Sequence, residues 1–265
     1  MHDAFGREIR YLRISVTDRC NLRCRYCMPE EGIRLISHED ILTYEEICGV
    51  AAAAVRLGIS KIRLTGGEPL ARRDIVELVR KLRPIPGLRT LAMTTNGTLL
   101  APLAAGLAGA GLDSVNISLD TLDPEKYVLI TRRGVLSEAL AGLDAALAAG
   151  LAVKLNMVIS PDTEESEIAA MRDFAKARGA ALQTIARYSL QEDKRDDYAY
   201  DRPPPCSSCN RIRLMADGTL RSCLHSDLDF KVDFDDIEGS IKAAILGKPA
   251  HGAVSSTPSV GQIGG

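Results

Sequence analysis

The chain has 265 residues, 46% of them hydrophobic, which excludes a disordered polymer and suits one large α/β unit with an appendage. Lys and Arg total 33 against 35 Asp and Glu, so the net charge of -2 offers no global basic field for nucleic acid or an anionic membrane. The opening MHDAFGREIRYLRIS lacks the apolar core of a signal peptide and no stretch reads as a membrane span, so the expectation is a cytoplasmic protein.

In chain order, strands are expected at EIRYLRISV, SKIRLTG, RTLAMTT, DSVNISL, AVKLNMVI and LQTIARY. Helical patterns fall between and after them, over residues 44–57, 74–82, 99–110, 136–149 and 164–177. Six βα-type steps argue for a parallel sheet with crossover helices, either curved into an open barrel or doubly wound. Both arrangements put functional loops at the carboxyl ends of the strands. After Tyr188 the polar run QEDKRDDYAYDRPPP reads as a linker or a surface-crossing segment. A second region follows, with a hairpin expected around Ala216-Asp217-Gly218, an amphipathic stretch over Ile237–Leu246 and a Gly/Ser/Pro-rich tail. The expected division is therefore a barrel over 1–190 and a C-terminal region over 191–265.

Seven cysteines in a reducing compartment point to metal ligands or reactive thiols before disulfides. Cys20, Cys24 and Cys27 form C-x3-C-x2-C directly after the first strand. Three thiolates would hold a 4Fe-4S cluster with one iron left open to a non-protein ligand, whereas zinc would want a fourth ligand that no nearby His or Cys supplies. Cys206, Cys209 and Cys223 form a second trio, C-x2-C-x13-C, for which the rival is a structural zinc with His225 as fourth ligand. Cys48 stands outside both and reads as a small core residue. Arg13, Lys61 and Arg63 share parity within their strands, so they face one side, the barrel interior in the curved arrangement. Singly, each cation would be an ordinary surface residue; together and inside, they would call for an anion.

VTDRCNLRCRYCMP, followed by Gly66-Gly67-Glu68-Pro69 after the second strand, resembles the radical S-adenosylmethionine superfamily. The resemblance implies a partial (βα)6 TIM-like barrel with a 4Fe-4S cluster on Cys20, Cys24 and Cys27. It also implies S-adenosylmethionine as cofactor, its methionine moiety on the open iron. Gly66, Gly67 and Glu68 would then present backbone and carboxylate groups to its amino end, with Tyr26 and Ser118 as further contacts. CSSCNRIRL, ADGTLRSCL and the terminal QIGG are similar to the GTP 3',8-cyclases of that superfamily. That likeness implies a C-terminal extension binding a second 4Fe-4S cluster on Cys206, Cys209 and Cys223. It further implies GTP as substrate, held by Arg13, Lys61, Arg63, Thr94, Lys154, Arg211 and Arg213, an external electron donor, and Gly264 and Gly265 assisting catalysis. The reaction implied is radical conversion of GTP to 3',8-cyclo-7,8-dihydro-GTP, a lyase step of molybdopterin biosynthesis.

Two departures lie near the sixth strand. Where the cyclases carry L-R-F-I-E-F-M, this chain reads Leu182-Gln183-Thr184-Ile185-Ala186-Arg187-Tyr188, without a phosphate-contacting Arg and a cofactor-contacting Met. Arg187, as a strand residue, is expected to face the other side. The segment between Tyr188 and Cys206 is also shorter than in that family, so part of the barrel closure is expected to be missing. A two-cluster radical enzyme for another nucleotide or a peptide is the first alternative, and a non-catalytic iron or zinc scaffold the second. Whether the chain forms a homodimer is not legible in the sequence.

Overall fold

Alternation along the strands builds the molecule, which a computed structural model describes over residues 1–256. Strands β1 (Tyr11–Ser15), β2 (Lys61–Thr65), β3 (Thr90–Thr95), β4 (Ser114–Ser118), β5 (Ala152–Ile159) and β6 (Ala181–Ala186) pair in parallel, each with the next. Helices α1 (Tyr44–Arg56), α2 (Ile75–Leu82), α3 (Ala104–Gly109), α4 (Pro124–Thr131), α5 (Leu136–Ala148) and α6 (Glu165–Ala177) occupy the crossovers. One strand face is apolar and fully buried, with Leu12 and Ile14 on β1, Ile62 and Leu64 on β2, and Val115 and Ile117 on β4. This face and the helices share the core, as parallel sheets require. The opposite face carries Arg13, Arg63, Asn116, Lys154 and Gln183, and residues from all six strands line one cavity on it. A single cavity reached from β1 through β6 means that the sheet curls around it, as a partial barrel.

The chain after residue 190 joins this sheet. Strand β7 (Arg211–Leu214) pairs in parallel with the free edge of β1, and β8 (Thr219–Arg221) and β9 (Asp229–Lys231) continue antiparallel. The nine-stranded order is β6-β5-β4-β3-β2-β1-β7-β8-β9. The expected hairpin joins β7 to β8, with Gly218 at φ +81 and the Met215 N–H donating to the Thr219 carbonyl at 2.7 Å. Helix α7 (Ile237–Leu246), capped by the Asp236 carboxylate, packs against α1.

Three expectations change. Helix α3 starts at Ala104, five residues later than the 99–110 pattern, because the chain first turns twice and Pro102 offers no N–H. Helix α4 was not expected: its apolar Val128 and Leu129 are exposed while Tyr127 and Thr131 are buried, so no single apolar stripe marks it. Its readable signal is Asp123-Pro124, where the Asp123 carboxylate accepts from the Glu125 and Lys126 N–H groups at 2.8 and 3.1 Å. Strand β6 stops at Ala186, leaving Arg187 and Tyr188 beyond it.

Candidate functional site

The first cysteine trio sits on the loop that leaves β1, and the loop is clamped by backbone contacts. The Arg23 and Arg25 N–H groups donate to the Thr131 and Ile130 carbonyls at the end of α4, each at 3.0 Å. Arg132, in the left-handed conformation that ends α4, donates to the Arg23 and Met28 carbonyls at 2.8 and 3.1 Å. Between them the Cys27 and Met28 N–H groups close a turn on the Cys24 carbonyl. Burial, joined by the neighbouring cysteines, raises the Cys24 thiol and pushes Cys27 up to about 12. Thiolates at these positions therefore need a cation among them.

The Gly66-Gly67-Glu68 turn lies directly against this loop. A Cβ on Gly66, whose φ is +148, would meet the Thr17 carbonyl oxygen at 2.4 Å, and one on Gly67 would meet that of Arg19 at 2.4 Å. The Gly67 and Glu68 N–H groups donate to those same carbonyls, both at 2.8 Å, so only glycine permits the contact. Glu68 is 1% exposed and accepts from Leu70 N–H at 3.0 Å, Thr95 Oγ1 at 2.7 Å and Asn96 N–H at 2.7 Å. Burial outweighs these donors and lifts its carboxyl to about 7. Both Glu68 oxygens thus already have protein donors, and the residue clasps the ends of β2 and β3 together. Tyr26 donates to the Asp120 carboxylate at 2.7 Å, and Val158 N–H donates to its other oxygen at 2.8 Å. Burial raises Asp120 to about 6. The sequence reading missed Asp120; its one local signal is the Ser118-Leu119-Asp120 step off the end of β4.

Strand register assembles the cations. Arg13 stands between Arg63 on β2 and Arg213 on β7, and Tyr11 between Lys61 and Arg211 one row away. Arg63 donates to Tyr11 Oη at 2.9 Å, the Met93 carbonyl at 2.9 Å and Thr94 Oγ1 at 3.3 Å. Burial, then the charge of Arg13, pushes Arg213 down to about 9. Burial would raise Tyr11, but Arg13, Arg63, Arg211 and Lys61 together bring it down to about 8. Arg211 Nε and Arg213 Nη1 are buried without a hydrogen-bond partner among the described residues. Unpaired buried guanidinium nitrogens beside other cations are costly, which is the signature of a site built for an anion.

The second trio is gathered from separate segments. Cys206 N–H donates to Asp196, the Cys206 carbonyl accepts from Arg7 Nη1 at 3.0 Å, and the Gly252 N–H reaches Cys206 Sγ at 3.4 Å. Lys248, 3% exposed, donates to the Arg211 and Ser222 carbonyls at 3.0 and 2.6 Å. Burial raises the Cys209 thiol, but Lys248 and Arg211 outweigh it and leave it lowered. His225 is 3% exposed, and neither ring nitrogen has a hydrogen-bond partner among the described residues.

One cavity of about 370 Å³ takes in all six cysteines, the Gly-Gly-Glu turn, Tyr26, Ser118, Thr94 and the cations Arg13, Lys61, Arg63, Lys154, Arg211 and Arg213. Gly264 and Gly265 lie outside the described residues. Among the described residues neither trio brings its three sulfurs within 4.8 Å of one another. A single tetrahedral zinc, with Zn–S of about 2.3 Å, would need them under about 4 Å apart. At neither trio can one zinc reach all three sulfurs as they stand, while Cys206 Sγ lies within 4.8 Å of ligand atoms of Asp196 and His251. Arg187, expected to face away, lines the same cavity: it lies four residues after the inward Gln183, an even step that keeps it on the same face, and its N–H still donates to the Ile159 carbonyl of β5 at 3.0 Å. Lys194 and Arg202 line it too, from the run read as a linker or a surface-crossing segment. No helix among the described residues is long and apolar enough to cross a membrane.

Comparison with known proteins places this geometry. Residues 14–175 match the family model of the Radical SAM superfamily. The chain is 43% identical to a GTP 3',8-cyclase of Moorella thermoacetica, over 92% of this chain and 88% of that protein. It is 41% identical to a GTP 3',8-cyclase of Peptoclostridium acidaminophilum, over 93% and 91%. The first alignment spans 289 positions against a chain of 265 residues, so the relative carries segments that this chain lacks. Among solved structures, the fold resembles Streptococcus suis SuiB bound to S-adenosylmethionine, with a TM-score of 0.67 at 14% identity, over 89% of this chain and 66% of that one. It also resembles anSMEcpe with bound AdoMet, with a TM-score of 0.64 at 15% identity, over 91% and 81%.

Proposed function

The chain belongs to the Radical SAM superfamily, and from that membership we propose that it is a GTP 3',8-cyclase, which turns GTP into 3',8-cyclo-7,8-dihydro-GTP for molybdopterin biosynthesis. The observation that carries the proposal is the shared cavity: two cysteine trios and a row of cations open onto one space. A 4Fe-4S cluster held by Cys20, Cys24 and Cys27, with S-adenosylmethionine beside it, would supply the one-electron radical chemistry that links ribose C3' to guanine C8.

The chain's own residues divide the work by position. Cys20, Cys24 and Cys27 hold the first cluster on a loop braced by α4. Gly66 and Gly67 offer backbone at close range, with Tyr26, Glu68 and Ser118 around the cofactor. Since both Glu68 oxygens have protein donors, its part is to hold the turn in place as much as to touch the ligand. Arg13, Lys61, Arg63, Thr94, Lys154, Arg211 and Arg213 receive the triphosphate, where guanidinium forks match phosphate geometry and lysines add point charge. Cys206, Cys209 and Cys223 would hold a second 4Fe-4S cluster on the same cavity. Functionally the chain divides into a barrel over 1–190 and a cluster-bearing region over 191–265, whose terminal Gly264 and Gly265 assist catalysis. An external reductant supplies the electron, and the setting is the cytoplasm. Enclosure of the radical excludes water and fixes C3' against its target.

The test is product analysis. Anaerobically reconstituted protein, given GTP, S-adenosylmethionine and a reductant, should yield 5'-deoxyadenosine and a cyclised nucleotide in step. 5'-Deoxyadenosine without any change in GTP would overturn the substrate assignment and leave the radical chemistry standing.

A further inference from the structure

Charge around the cavity is uneven. β1, β2, β5 and β7 each turn at least one Arg or Lys inward, whereas the inward residues of β6 are Gln183 and Ile185. Gln183 is spent on Asn156, to whose Oδ1 it donates at 3.3 Å. On this side a cation arrives from outside the regular strands.

The run after Tyr188 turns back along the free edge of β6. Arg202 forms a parallel bridge with Ile185, and its carbonyl accepts from Ala186 N–H at 2.8 Å. One residue earlier, the Asp201 carboxylate accepts from Thr184 N–H at 2.8 Å and Thr184 Oγ1 at 3.0 Å. Backbone and side chain together pin position 202 beside a strand that, like β3 and β4, turns no cation inward. The Arg202 side chain is half-buried and lines the cavity, near enough to Arg211, Arg13 and Arg63 to feel their charge. Among the described residues no carboxylate forms an ion pair with Arg202, Arg211 or Arg213. A guanidinium held by its backbone near three other arginines, with no carboxylate partner, is favourably placed to receive a polyanion.

We propose that Arg202 is a substrate-binding residue that grips the polyphosphate of the nucleotide from the β6 side, joining the cations of β1, β2, β5 and β7 from an edge whose own strand supplies none. The proposal rests on the cyclase reading and deepens it. The segment between barrel and second trio then shapes the substrate site, besides connecting two regions.

The test measures equilibrium binding of GTP and of guanosine to the reconstituted full chain. Arg202→Gln should weaken GTP binding at least tenfold, the loss of one charge-assisted contact, and leave guanosine binding within about twofold. Adding Gln183→Arg to that variant should restore most of the lost GTP affinity, because residue 183 faces the same space from β6. Arg202→Lys, the milder change if Arg202→Gln does not fold, should weaken GTP binding several-fold with guanosine unaffected. Equal GTP affinity in parent and folded variant overturns the role of Arg202 alone, as does an equal loss for guanosine. A parent that binds no GTP overturns the cyclase reading, and this assignment with it.

Discussion

The two cysteine trios face one cavity but are built by different means. The first is local: eight residues of loop, tied mainly by backbone hydrogen bonds to α4 and to the Gly-Gly turn beside it, with the Arg132 guanidinium as a side-chain clamp. The second is assembled at long range, by Arg7 from the amino terminus, Asp196 from the run after β6, and Lys248 and Gly252 from beyond α7. Backbone contacts tolerate most side-chain changes and fail where a Cβ intrudes. Side-chain tethers fail one residue at a time. The first site should therefore be sensitive at glycines and the second at charged residues.

The largest expected contrast comes from removing one ligand from each. Cys24→Ala should abolish 5'-deoxyadenosine formation, whereas Cys209→Ala should leave cofactor cleavage running but stop formation of the cyclised product. Iron should fall from about eight per chain to about four in each, by cluster stoichiometry. If Cys209→Ala keeps the full iron content, the second trio holds no cluster.

Gly67→Ala comes next. A Cβ 2.4 Å from the Arg19 carbonyl oxygen forces the loop and turn apart, at a cost of about 3 kcal/mol in urea unfolding. Gly252→Ala should cost less, since its Cβ would meet one atom under 3.0 Å, His225 Cβ at 2.7 Å, against three backbone atoms at Gly67. Equal costs would erase the distinction between a backbone-built and a side-chain-built site.

The Glu68 carboxyl gives the first site a pH signature. Its pKa is about 7 in the fold and near 4.5 in the unfolded chain, so folding favours the protonated form. The associated stability is fully present below about pH 4.5 and is lost as pH rises through 7, a change of about 3 kcal/mol. Glu68→Gln should flatten that slope in denaturant titrations of the protein without S-adenosylmethionine, and an unchanged slope would assign it to another group.

Arg211→Ala with Arg213→Ala should weaken GTP binding at least tenfold, through lost contacts worth about 1.5–3 kcal/mol each, while both clusters still assemble. Undiminished binding would make these arginines structural. The smallest effect belongs to Arg7→Lys. Arg7 donates to the carbonyls of Cys206, Pro249 and Ala250, and a lysine point charge cannot reproduce that fork. About 1 kcal/mol of stability should go, with iron loss confined to the second trio; loss spread evenly over both would show that the tether serves the whole fold.

What could be read from the sequence were features carried by contiguous residues. The six βα steps follow from apolar alternation, the first trio and Gly-Gly-Glu turn from spacing, and the inward parity of Arg13, Lys61 and Arg63 from the strand period of two. The hairpin at Gly218 was legible because only a left-handed residue makes that turn. Other features depend on distant partners. That β7 adds to the edge of β1, setting Arg211 beside Tyr11 and Arg213 beside Arg13, is a pairing across some 200 residues of chain. α4 escaped because its buried residues form no stripe, and Asp120 because its role comes from Tyr26, which reaches it across the cavity loop. The expectation for Arg187 failed on the count itself, since an even step from the inward Gln183 keeps residue 187 on the same face. Periodicity and spacing report what a segment does with its neighbours in sequence; which edge a strand joins, and which charges it brings there, is decided by packing, and only the tertiary structure contains it.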